Sequence, residues 1–140
     1  MPFREKTAWI MSAALIVGGF SYFGAIVSDW SGSGQLASPM FRPTLIFTAC
    51  LVAIAIVGHI AIAILTPKDA DAPLDERERQ IFNRAGHYSA YVMGVGIVMS
   101  LALYVFTKSG DLLFYTAFAS LLIGQVVEYF LQILFYRTSV

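Results

Sequence analysis

The chain has 140 residues, as many basic as acidic side chains, 58% apolar residues and a mean hydropathy of +0.72. With only 13% charged residues it is too apolar for an ordinary water-soluble domain, and a net charge of zero gives no general reason to bind nucleic acid directly. A single cysteine, Cys50, excludes an internal disulfide and a cysteine-held metal cluster.

Four apolar stretches, at about 7–27, 44–65, 85–106 and 112–136, are each near or above the ~20 residues a helix needs to cross about 30 Å of hydrocarbon. The expected fold is an all-α integral membrane four-helix bundle, a single domain made of two antiparallel transmembrane hairpins. The first stretch follows a basic start containing Arg4 and Lys6. Its length, and the absence of a small-x-small cleavage site after it, mark it as an uncleaved span. Gly18, Gly19 and Gly24 narrow it, as Ser120 and Gly124 narrow the fourth. Residues 28–43, with Ser31-Gly32-Ser33-Gly34 at their centre, are rich in turn formers and predict a surface-lying connector. Pro43 suits the first turn of the second helix. In that helix Ala49, Ala53 and Ala61 predict a packing seam, and Cys50 reads as a small buried residue.

The 66–84 segment carries half of the charged residues, including five of the nine acidic ones. Asp75 followed by Glu78 has capping-box spacing, so a helix is expected to start at Asp75 and to run into the third span, with a bend at Gly86. Leu74, Ile81, Phe82 and Ala85 form its apolar side, while Glu76, Arg77, Arg79 and Gln80 face water. Asp75, Glu76, Arg77, Glu78, Arg79 and Arg84 are therefore candidates for contact with a partner protein. The plainer reading is a solvated face that sets topology. A divalent-cation site from Asp71, Asp75, Glu76 and Glu78 lacks calcium-loop spacing, so no metal is assigned.

Asp75-Glu76-Arg77, followed by Ile81, Ala85 and Ser89 at the opening of a span, resembles the signature of an uncharacterised family of small prokaryotic four-helix membrane proteins with an Asp-Glu-Arg motif in the central loop. The resemblance implies a four-helix membrane fold without established activity, and a regulatory association with a small cytoplasmic helix-turn-helix protein. The long Ser/Gly outer loop and Glu128 depart from that pattern.

Gly86, Ala90 and Gly94 recur every four residues in the third span and predict a second seam, used within the bundle or for a homo-oligomer. The short link 107–111 makes the third and fourth helices antiparallel neighbours. In the fourth span Glu128 is the one carboxylate set deep in an apolar stretch, costly enough to be a site hypothesis by default. Gln125, Glu128 and Gln132 stack at steps of three and four residues on one helix face. Depth counting at about 1.5 Å per residue allows His59 to reach Glu128, with His87 nearer the membrane surface. Three readings of this intramembrane polar cluster stay open: hydrogen bonds that knit the bundle, a pathway for protons, ions or small solutes, and haem ligation by His59 and His87.

Seven basic residues fall on the side of the two termini and the central loop against two, Arg42 and Lys108, on the other. This places both termini in the cytoplasm of a prokaryotic cell, the protein being multi-pass in the inner membrane. No phosphate loop, nucleophile elbow, His-Glu-x-x-His motif or cysteine pair is present, so neither catalysis nor a cofactor is assigned. The expectation is a regulatory or accessory membrane protein. The alternative is a small oligomeric transporter or channel built on the Glu/His/Gln site.

Overall fold

The computed structural model describes residues 3–65 and 75–138, and these form four helices: α1 (Phe3–Ser33), α2 (Phe41–Leu65), α3 (Glu76–Thr107) and α4 (Gly110–Thr138). Each is long and apolar enough to cross a membrane. The principal contacts join α2 to α1, α1 to α4 and α4 to α3, so α1 and α4 lie in the middle and α2 and α3 flank them. Up-and-down connectivity gathers the start of α1, the start of α3 and the end of α4 at one end, here the charged end. The α1–α2 and α3–α4 connections lie at the loop end.

The helices start and stop where local chemistry permits. Asp75 caps α3 in an extended conformation, its carboxylate accepting from the Glu76 amide at 2.7 Å. Glu78 does not complete a capping box; its carboxylate turns into the bundle instead. At the other end Lys108 adopts a left-handed conformation, φ 54°, and its amide donates to the Tyr104 carbonyl. The Ser109 hydroxyl then accepts from the Leu112 amide, so two residues suffice to reverse the chain.

α1 outruns its expected end. The Ser31 and Ser33 hydroxyls donate to the Ser28 and Asp29 carbonyls, and Gly34, at φ +70°, closes the helix with its amide on the Trp30 carbonyl at 2.8 Å. The connector shrinks to 34–40. Tyr115 donates to the Ala37 carbonyl at 3.0 Å and Ser38 to Asp111 at 3.1 Å, which pins the connector across the head of α4. Beneath it Tyr22, Phe47 and Phe118 bring α1, α2 and α4 together, with ring centroids 4.9–5.8 Å apart.

Buried positions repeat at three and four residues, as a left-handed helix seam requires. On α1 they are Glu5, Ala8, Ser12 and Leu15, and on α3 Ile81, Ala85, Ser89 and, further along, Ser100. Gly18, Ser120 and Gly124 set close contacts, whereas the seams predicted on α2 and α3 do not. Ala49, Ala53, Ala61 and Cys50 lie on the exposed side of α2, which meets α1 through Gly58 against Ile10 and through Phe47 and Leu51 against Gly18. Ala90 and Gly94 likewise face away from α4, and a Cβ on Gly86 or Gly94 would touch nothing. α3 meets α4 at Gly96 against Ser120 and at Met93 against Gly124. A four-residue repeat of small side chains marks where close approach is allowed; the partner helix decides which such stripe is used.

A Cβ added at Gly96 would lie 2.5 Å from the Ser120 hydroxyl oxygen and 2.7 Å from its Cβ. Gly96→Val should therefore cost about 1–3 kcal/mol, as overpacking commonly does, whereas Gly86→Ala should not destabilise. Thermal unfolding in detergent, followed by circular dichroism, compares the two variants.

Candidate functional site at the charged end

Five ionisable side chains converge at the charged end. Arg4 Nε lies 3.4 Å from Glu78 Oε2, tying α1 to α3. The Tyr136 hydroxyl donates to Glu78 Oε1 at 3.1 Å, tying α4 to α3. Arg137 Nε stands 3.4 Å from Glu5 Oε1, tying α4 to α1; the glutamate is buried and the arginine mostly exposed. Both arginines also cover rings, Arg4 that of Phe82 at 5.9 Å and Arg137 that of Trp9 at 5.4 Å. An acid in the first turn of α1 thus meets a base in the last turn of α4, where each also complements its own helix dipole. Arg4, Glu5, Tyr136 and Arg137 were not singled out as a group from the sequence. Their signal was present: opposite charges at helix ends that an even number of crossings must bring together.

Just inside this network lies a cavity of about 210 Å³ lined by Arg4, Thr7, Phe82, Glu128, Tyr129 and Gln132. Glu128 accepts from the Ser89 hydroxyl and from the Gln132 amide, each at 3.4 Å. The Ser89 proton is shared with the Gly86 carbonyl at 3.0 Å, and the carboxylate links α4 to α3 at this level. Gln132 is 3% exposed and Ser89 6%, so both depend on internal partners.

The remaining predicted members of the polar cluster do not join it. Gln125 is exposed. His59 lies on the exposed side of α2, where Nδ1 donates to the Ala55 carbonyl at 2.7 Å, and α1 stands between α2 and the Glu128 face. Matching depth cannot create a contact when another helix occupies the gap. His87 is exposed on α3, its ring edge-on to Tyr91 at 4.8 Å. The two histidines therefore sit on the two flanking helices and do not face each other.

The charged start of α3 divides into two sets. Glu78 is turned inward and Asp75 is spent on the cap, while Glu76, Arg77, Arg79 and Arg84 are exposed. Of these, Arg77 reaches the Tyr136 carbonyl at 3.4 Å. Ile81 and Ala85 are buried and Phe82 half-buried, so the apolar side expected for this stretch packs on protein. Leu74, Asp69 and Asp71 lie outside the described residues. Among the described residues no group of three His, Cys, Asp or Glu side chains could hold a metal ion. Comparison with protein-family models, curated proteins and solved structures yields no match.

The geometry makes Glu128 the acceptor for the buried Gln132 amide, while Ser89 has the Gly86 carbonyl as its alternative. Glu128→Ala should lower stability by about 1–3 kcal/mol through the unsatisfied Gln132 amide, and Glu128→Gln, which keeps an acceptor in place, should retain most of it. Denaturation midpoints in one detergent measure both. A Glu128→Ala variant as stable as the parent would show that the cluster does not hold α3 to α4.

Proposed function

We propose that the chain is a multi-pass protein of the prokaryotic inner membrane with a regulatory or accessory, non-catalytic role, and that the charged end faces the cytoplasm. The distribution of cations supports the orientation: Arg4, Lys6, Arg77, Arg79, Arg84 and Arg137 lie at or near the charged end, and Arg42 and Lys108 at the loop end. The observation that carries the role is the division of charge at the start of α3. Glu78 is committed to the bundle and Arg77 reaches back to the Tyr136 carbonyl, while Glu76 and Arg79 project outward from a helix whose opposite side is already anchored on α4. A rigid helix displaying mixed charge into the cytoplasm is a surface suited to a soluble partner. The Asp75-Glu76-Arg77 resemblance makes a small helix-turn-helix protein the partner to seek.

A polar transport pathway has less support. Glu128, Gln132 and Ser89 form one compact hydrogen-bonded set, Gln125 and His59 lie outside it, and towards the loop end α3 and α4 close tightly at Gly96 and Gly124. Glu128 on this reading is structural.

Purification from native membranes with a mild detergent should recover a stoichiometric partner that the variant Arg79→Glu loses without any change in unfolding temperature. A homogeneous preparation of this chain alone, in parent and variant alike, overturns the docking role. Orientation is tested separately in a Cys50→Ala background. A membrane-impermeant thiol reagent added to intact cells should label cysteine introduced at Gly34 and spare cysteine introduced at Gln80.

A further inference from the structure

The side of α3 opposite its contact with α4 has a pattern of its own. Gln80, Arg84, His87, Tyr91, Gly94 and Val98 follow one another at alternating steps of four and three residues, and all are exposed. They form one straight outward face. The buried series Ile81, Ala85, Ser89 and Ser100 lies on the reverse side. Along the apolar half of the outward face the small side chains of Ala90 and Gly94 leave a groove of about 320 Å³, walled by Tyr91, Val95, Val98 and Met99. Directly above it, towards the charged end, stand Arg84 and His87. Arg84 makes no ion pair or hydrogen bond with the described residues, and the His87 ring is held against Tyr91, which also walls the groove.

Depth connects the two halves. The 32 residues of α3 extend about 48 Å, and the last twenty or so span about 30 Å of hydrocarbon, so the hydrocarbon boundary falls near His87. Tyr88 and Tyr91 then sit at the boundary where amphipathic rings settle. Arg84 and His87 stand at phosphate level, and the groove runs about 13 Å into the acyl region. Glu76, the acidic residue nearest this face, lies two turns further out in water.

We infer that this face binds an anionic phospholipid of the surrounding bilayer, its phosphate held by Arg84 and His87 and one acyl chain laid along Ala90 and Gly94. Charge complementarity selects this occupant over a second copy of the chain. Two copies inserted in the same direction and joined symmetrically through this face would set Arg84 against Arg84 at equal depth, with no acid on the face within two turns to offset the pair. A lipid phosphate satisfies the same guanidinium.

The inference rests on the membrane placement proposed above, but not on the protein partner. Purified full-length chain is titrated with phosphatidylglycerol and with phosphatidylcholine of the same acyl chains, and bound lipid is counted by native mass spectrometry. Phosphatidylglycerol should be retained preferentially. Arg84→Ala with His87→Ala should weaken its retention at least about fivefold for the lost arginine charge, and Gly94→Leu should weaken it with Arg84 and His87 intact. Arg79→Ala, off this face, should leave retention unchanged. Equal retention of the two lipids by the parent, or an equal loss from Arg79→Ala, overturns the inference. So does a parent dimer that Gly94→Leu converts to a monomer with lipid retention unaltered, which would assign the face to self-association. A chain that stays monodisperse without detergent would instead defeat the membrane placement itself.

Discussion

Two helices can approach closely only where neither has a side chain in the way, and the hold of α3 on α4 depends on that constraint being met at Gly96 against Ser120 and at Gly124 against Met93. In a lipid environment apolar surface has nothing to gain by leaving the solvent for a neighbouring helix, so close packing and internal hydrogen bonds must supply the attraction. The hydroxyls near these contacts serve that end. Ser100 bonds the Gly96 carbonyl at 2.8 Å and Ser120 the Thr116 carbonyl at 2.7 Å, which places a polar atom in a tight seam without leaving it unpaired. The α3–α4 hairpin is the most extensive contact in the protein, and α1 and then α2 are laid against it in turn.

Each end of the bundle is closed by different chemistry. At the loop end, aromatic rings of α1, α2 and α4 meet edge to face, and the 34–40 connector is strapped to α4 through Tyr115 and Asp111. At the charged end, two arginine–glutamate pairs and the Tyr136 hydroxyl tie α1, α3 and α4, while Glu128 ties α3 to α4 one layer deeper. The middle of the bundle relies on small residues. This grading matches a polar–apolar–polar environment, in which ion pairs are useful only near water and rings tolerate both sides.

The same grading separates residues that serve the fold from those left over for interaction. Glu5, Glu78, Glu128 and Gln132 each have an internal partner, so charge or polarity at these positions needs no external ligand to explain it. Arg84, His87 and the Ala90–Gly94 groove have none of comparable kind, and they share one face of a helix whose other side is fully engaged. Its place in an apolar run alone would have pointed to Glu128 as the site of interest; the partners of each group point outward along α3.

Four helices, their order and their antiparallel pairing were legible in the amino-acid chain, because apolar run length and short polar links are properties of local segments. The start of α3 at Asp75 was legible for the same reason, and the true end of α1 was written in Gly34, masked by serines whose hydroxyls can extend a helix as readily as break it. Which stripe of small residues forms a seam, whether His59 reaches Glu128, and which way Glu78 turns were decided only by tertiary structure. Those outcomes depend on the rotation of each helix about its own axis and on which neighbour stands beside it. Sequence periodicity defines the faces a helix has to offer, and contact between helices selects among them.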